Sequence, residues 1–177
     1  MVMELEKDVN RLSLVADRFS KIGSTPELER LDIVSLVKEM TTYMEKRAAR
    51  KVRFEYELKE EGRHYAMVNA HLFNWVLENL LRNSLDSIGS EGVLSGRVLD
   101  EDNYVVVELE DSGKGIPSNK FNTIFRPGYS TKKRGWGLGL SLTKRIIDDY
   151  HKGRIYVKKS EIGKGTTFLI QLKVSDD

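Results

Sequence analysis

The chain has 177 residues, 40% hydrophobic and 32% charged, which allows one full core plus an appendage and excludes a disordered chain. A formal net charge of +2 gives no basis for broad nucleic-acid binding, and the absence of cysteine excludes a disulfide framework and thiolate metal sites while fitting a reducing compartment. No apolar run approaches the ~20 residues of a membrane-spanning helix, and no leader pattern is present.

Val2, Leu5, Val9, Leu12, Ala16, Phe19 and Ile22 recur at alternating spacings of three and four. They form a heptad seam, with Lys7, Asp8, Arg11 and Asp17 off it. Gly23, Ser24 and Pro26 stop this helix. A lone helix cannot bury such a stripe, so residues 1–23 call for partner helices or a place along their own domain. Because the sequence opens on this helix, it reads as a piece of a longer protein. Asp32 is placed to cap a second helix, whose inner stripe is Ile33, Leu36, Val37, Met40, Tyr43 and Met44. The basic cluster Lys46 to Lys51 ends it. Val52, Phe54, Tyr56 and Leu58 then alternate with polar residues as a half-buried strand.

A long central helix is predicted from about Asn69 to Ile88. Its apolar arc is Phe73, Val76, Leu77, Leu80, Leu81, Ser84, Leu85 and Ile88. Asn79, Asn83 and Asp86 stand at i, i+4 and i+7, sharing a sector about 60° wide. Amides lower helix propensity, so either this is an exposed polar face or these are neutral oxygen ligands for magnesium and phosphates.

Val93 to Val98 and Tyr104 to Glu110 read as a hairpin, and the second strand runs into Asp111-Ser112-Gly113-Lys114-Gly115-Ile116. A buried carboxylate at a strand end can accept a hydrogen bond from an exocyclic amine such as that of adenine. The glycines let backbone pass close to a flat ring. Lys120 to Arg134 has no clean period and reads as a mobile basic loop. Gly135, Gly137 and Gly139 then open a helix over 140–150, and a Gly-rich helix start is an anion site. The spacing is neither a dinucleotide fingerprint nor a P-loop. Two last strands, Arg154 to Lys158 and Thr167 to Val174, meet at Gly163-Lys164-Gly165. His64, His71 and His151 read as ordinary surface histidines.

With these stretches in this order, residues 31 to 174 resemble the ATP-binding catalytic domain of sensor histidine kinases. That family shares a superfamily with DNA gyrase, heat-shock chaperones and mismatch-repair ATPases. Asn79 to Asn83 resembles its N box, Asp111 to Gly115 its first glycine box and Phe121 to Pro127 its phenylalanine box. Gly135 to Leu140 is similar to its second glycine box and Gly163 to Phe168 to its last. Phe125 to Lys132 resembles the short lid of nitrogen-regulator-type kinases. The implied fold is α/β (α+β), a two-layer sandwich of a mixed sheet on three helices. The implied domains are 1–23, the second helix of a dimerisation and phosphotransfer bundle, and 31–177, the ATP-binding domain.

The resemblance implies that Asp111 holds the adenine amine, supported by Thr166 or Thr167. It implies Asn83 as the Mg²⁺ ligand, with Asn79 beside it on the phosphates and Lys132 on the γ-phosphate. Gly113, Gly115, Ile116, Phe125, Gly135, Gly137, Leu138, Gly139 and Leu140 complete the expected ATP contacts. The expected activity is transfer of the γ-phosphoryl group to a histidine on a bundle helix absent from this sequence, so the chain should not label itself. The expected partners are that helix, a response-regulator receiver domain and a second copy in the full-length homodimer, with no nucleic acid and no membrane contact, in the cytoplasm. An ATP-hydrolysing gating domain of the gyrase or chaperone type is the alternative. Asp86 stands where many members of the resembling family carry a basic residue, which leaves the phosphate charge to the lid or to Arg82. Asn79 stands where the superfamily's hydrolases carry a glutamate base, and an amide cannot take a proton at neutral pH.

Overall fold

The computed structural model describes residues 26–58, 64–132 and 137–175. The seam expected over 1–23 and the glycine at 135 lie outside the described residues. Strand β1 (Glu29–Asp32) runs directly into helix α1 (Ile33–Glu45). Asp32 caps α1 as its side chain predicts, accepting the Val34 N–H at 3.0 Å. Strands β2 (Lys51–Leu58) and β3 (Tyr65–Val68) follow, then helix α2 (Ala70–Ile88), capped by Asn69 through the Leu72 N–H. Strands β4 (Glu91–Glu101) and β5 (Tyr104–Asp111) form the expected hairpin. Two 3₁₀ turns, Ser118–Lys120 and Thr123–Phe125, lead to helix α3 (Gly139–Arg145), which continues as a π turn over Ile146–Tyr150. Strands β6 (Arg154–Glu161) and β7 (Gly165–Lys173) close the order.

The main sheet runs β2-β4-β5-β7-β6, with β2–β4 parallel and the other pairs antiparallel. It is a mixed sheet with the helices packed on one face, the expected two-layer sandwich. Strand alternation decides what that face carries. Leu94 and Val98 of β4, Val105, Val107 and Leu109 of β5, and Phe168, Ile170 and Leu172 of β7 join the core. From α2 come Phe73, Val76, Leu77, Leu80 and Leu81, each at most 1% exposed. Burial of each such side chain contributes roughly 1.5–3 kcal/mol. The same alternation carries on to Asp111, so the last in-facing residue of β5 is a carboxylate at the edge of the helix layer.

Two features differ from the sequence-based expectation. Strands β1 and β3 pair antiparallel as a small separate sheet, bridged to the main one at Ala66 and Val174. Each has four residues, too few for a two-residue period to declare itself. Second, His64 and His151 are not surface residues; each is 5% exposed. His64 Nδ1 lies 3.0 Å from Asp100 Oδ1. His151 accepts the Asn69 N–H on Nε2 at 3.0 Å, while its Nδ1 lies 2.9 Å from the Ile146 carbonyl. It is therefore held neutral, with Nδ1 the donor, and it ties the start of α2 to the π turn. Burial pushes its pKa down. The outer sheet face also holds a nearly buried Glu108, whose pKa burial would push up. Hydrogen bonds from Lys158 and Arg97, the latter at 2.6 Å, hold its pKa below the usual carboxylate value. Among the described residues, no helix is long and apolar enough to cross a membrane.

Candidate functional site

Helix α2 is the wall along which the candidate residues assemble. Its C-terminal turns meet the end of β5. Asp111 is 3% exposed there, and its Oδ1 accepts the Gly113 N–H at 2.9 Å. Burial pushes its pKa up; the Gly113 N–H and the Ser87 hydroxyl of α2 pull against that. The backbone of the glycine turn then runs against α2: Lys114 N–H donates to Ser87 Oγ at 3.1 Å. A β-carbon on Gly113 would stand 2.6 Å from the Ser87 carbonyl carbon, and one on Gly115 2.1 Å from the Glu161 carbonyl oxygen. These glycines are thus required first by close approach of protein backbone, whereas the sequence reading gave the reason as a flat ring. Ile116 N–H donates to Ser160 Oγ at 2.7 Å.

The register of β7 separates the two threonines left open by the sequence. Thr166 is opposite Asp111 and Thr167 is opposite Glu110. Cross-strand partners share a face, so Thr166 lies on the Asp111 side and Thr167 on the outer side. Thr166 Oγ1 is 2.8 Å from Ser160 Oγ, which makes Ser160 a link between the glycine turn and β7.

Further toward the N-terminus of α2 stand the amides. Asn79 donates from Nδ2 to the buried Thr143 Oγ1 of α3 at 2.9 Å. It also packs so close to Gly139 that a β-carbon there would lie 2.6 Å from Asn79 Oδ1. Asn79 therefore clamps the start of α3, and Leu138, Gly139 and Leu140 sit beside it at that helix start. Arg82 pairs with Glu78 of its own helix. Asn83 and Asp86 face the lid: Lys132 Nζ lies 3.0 Å from Asn83 Oδ1 and 2.5 Å from Asp86 Oδ2. Thr131, one residue before, receives Lys114 Nζ at 3.3 Å.

The lid is tied at its base. Gly128 N–H donates to the Gly137 carbonyl at 3.0 Å, and Gly137, at φ 66°, is packed where any β-carbon would strike Gly128. Phe125 is buried and packs edge-on against Phe168, with ring centroids 6.3 Å apart. It anchors the lid to the core, joining the phenylalanine stretch to the last glycine stretch.

The donor set suits a hard divalent cation. Two oxygens, one neutral and one anionic, converge on a position that already holds a cationic nitrogen. No group of three or more His, Cys, Asp or Glu side chains gathers among the described residues. Magnesium, which keeps waters and borrows phosphate oxygens, needs no larger protein cage. Sequence reasoning missed Ser87, Ser160 and Thr143, because each acts through a backbone or amide partner distant in sequence. The i+4 relation of Ser87 to Asn83 was the one visible signal.

Residues 69–176 match the family described as histidine kinase-, DNA gyrase B- and HSP90-like ATPase. Among curated proteins, the sensor histidine kinase ZraS of Escherichia coli is 40% identical over 100 residues, 56% of this chain and 21% of ZraS. Sporulation kinase C of Bacillus subtilis is 29% identical over 143 residues, 80% of this chain and 33% of that protein. The sensor kinase CckA of Brucella abortus is 33% identical over 99% of this chain and 21% of its own length. The chain thus spans between a fifth and a third of these relatives. Among solved structures, the catalytic domain of histidine kinase ThkA superposes with a TM-score of 0.74 at 26% identity, covering 84% of this chain and 96% of that one. ThkA in complex with the response regulator protein TrrA gives 0.77 at 24% identity, covering 96% and 49%. The fold, the order of the glycine and asparagine stretches and these matches agree: the chain belongs to the histidine kinase-, gyrase- and HSP90-like ATPase family, as an ATP-binding catalytic domain of the sensor histidine kinase type.

Proposed function

We propose that this chain binds Mg-ATP with the base at Asp111 and the phosphates between Asn79, Asn83 and the lid, and presents the γ-phosphoryl group to an imidazole outside this sequence. The observation that carries the reading is that the C-terminal turns of α2 adjoin the buried Asp111 and its glycine turn on one face and, on the next face, hold two oxygens, Asn83 Oδ1 and Asp86 Oδ2, on a cation. A base-recognising face and a charge-neutralising face are thereby fixed on one rigid element.

In this reading Asp111 accepts the adenine amine, with Gly113, Gly115 and Ile116 forming the turn beside it. Thr166, on the same face, is the supporting threonine, and Thr167 is set aside because it faces outward with Glu110. Asn83 Oδ1 holds the metal, which when bound supplies positive charge across the phosphate oxygens. Backbone N–H groups at Gly137, Leu138, Gly139 and Leu140 favour phosphate at the start of the helical run. Lys132 brings a further positive charge from the lid. Positioning and charge neutralisation are what phosphoryl transfer mainly requires of a protein, and the acceptor imidazole is itself the nucleophile.

Asn79 supports transfer over hydrolysis. Its amide donates to Thr143 and offers no base for water. Two of the chain's three histidines are poor acceptors, since His64 and His151 are buried, while His71 is exposed at the start of α2. The onward partner we assign is a response-regulator receiver domain, consistent with the ThkA–TrrA complex. A second copy joined through the 1–23 seam, in the cytoplasm, completes the proposal. Calorimetric titration with ADP and with a non-hydrolysable ATP analogue, in Mg²⁺, tests it. Saturable one-site binding is expected; absence of binding to both refutes it. Steady release of phosphate from ATP would favour the gyrase-type alternative.

A further inference from the structure

Asp86 follows Asn83 by three residues, on the same side of α2. Its charge is answered from the lid. The Lys132 ammonium is seated between Asp86 Oδ2, at 2.5 Å, and Asn83 Oδ1, at 3.0 Å. The next contact of the lid, Thr131 with Lys114, holds the same segment on the far side of the glycine turn. The lid therefore places its cation on the oxygen assigned to the metal.

An ammonium and a magnesium ion cannot both occupy that position. Two cations within about 3 Å of each other repel strongly even when partly solvated. Resting on the Mg-nucleotide reading of this site, we propose that Lys132 is the resident counter-cation of the Asn83–Asp86 pair, displaced when metal-bound nucleotide enters. Asp86 is the residue that makes nucleotide binding depend on the metal. Without a metal, its carboxylate faces the polyphosphate with like charge. With a metal, the same carboxylate is a favourable partner, directly or through metal-bound water. The displaced Lys132 side chain, 46% exposed, is then free to meet the phosphates.

The test uses the whole 177-residue chain and two nucleotides, ADP and a non-hydrolysable ATP analogue, each titrated in Mg²⁺ and in EDTA. The side chains of Lys132 and Asp86 are 46% and 50% exposed, so neither substitution opens the core. Asp86→Asn is expected to weaken Mg-nucleotide binding and tighten metal-free binding. The ratio of the two dissociation constants then falls by roughly tenfold or more, the scale on which groups around a metal act. Lys132→Met removes the competing cation, so Mg-ADP should bind about threefold tighter, as suits an exposed ion pair. With the ATP analogue, lost contact to the terminal phosphate should cancel or reverse that gain. A metal ratio unchanged within about twofold in Asp86→Asn overturns the proposal. So does weaker Mg-ADP binding by Lys132→Met, which would make Lys132 a direct anchor of the nucleotide. A parent chain that binds neither nucleotide overturns the Mg-nucleotide reading itself, whereas parent-like variants of a binding parent overturn only the role of Asp86 and Lys132.

Discussion

Replacing Asp111 by Asn exchanges one oxygen for an NH₂ group and leaves the volume of a nearly buried side chain almost unchanged. The structure makes the exchange costly for nucleotide binding. Asp111 Oδ1 already accepts the Gly113 N–H at 2.9 Å, so a base amine needs the other oxygen. An asparagine has a single acceptor. If it keeps the Gly113 bond, its NH₂ meets the adenine amine donor to donor; if it turns over, the clash falls on Gly113 instead. The loss combines a charge-assisted hydrogen bond, about 1.5–3 kcal/mol, with an unsatisfied donor, about 1–3 kcal/mol. A total of about 2.5–6 kcal/mol corresponds to roughly 70-fold or more in affinity. The free protein should respond the other way. Burial raises the Asp111 pKa above its ordinary value, so the folded state prefers the protonated form, and the ionised group opposes folding above that raised pKa. Removing the charge at neutral pH should leave the melting temperature unchanged or higher. Calorimetry with ADP and Mg²⁺, paired with thermal unfolding without nucleotide, checks both signs. Affinity within about threefold of the parent would refute the placing of the base at Asp111.

Other outcomes follow from the same geometry. Gly139→Ala adds a β-carbon 2.6 Å from Asn79 Oδ1 and must push the amide off Thr143. Despite alanine's better helix propensity, unfolding free energy should fall by about 1–3 kcal/mol, measured by denaturant titration. His151 has a folded pKa depressed below its ordinary 6.5. The unfolded state then binds the proton first, so the stability contributed by neutral His151 is full above about pH 6.5 and is lost as pH falls toward the folded value. Thermal unfolding from pH 8 to 5 should show this loss, and a His151→Phe variant should show less of it. Phe73→Ala empties a fully buried position edge-on to His151 and should cost about 3–5 kcal/mol in chemical denaturation. Incubated with γ-labelled ATP, the chain alone should acquire no stable label, read by autoradiography under alkaline conditions; a labelled histidine would contradict the external acceptor.

Much of this fold is legible in the sequence because its elements are long and periodic. Phe73, Leu77, Leu80 and Leu81 declare a helix face, and the run from Tyr104 to Asp111 declares a strand ending on an acid. Asp32 is legible as a cap because a cap is local chemistry. The site is legible as a set of stretches but not as a set of contacts. Thr166 and Thr167 differ only by strand register, which the neighbouring strand fixes. Gly113 and Gly115 point toward a ligand in the sequence, although in the fold their first constraint is backbone at Ser87 and Glu161. His151 was read as a surface residue because its partner, the Asn69 N–H, lies 82 positions away. Lys132, expected on a phosphate, instead has intramolecular partners on α2, and only the folded chain reveals that Asp86 is one of them.

The most direct measurement is a crystal structure of this chain grown with Mg²⁺ and a non-hydrolysable ATP analogue. The account predicts the adenine amine at the Asp111 carboxylate, the metal at Asn83 Oδ1 and the Lys132 ammonium moved off that oxygen. Nucleotide bound elsewhere, or bound here with Lys132 still seated between Asn83 and Asp86, would contradict it.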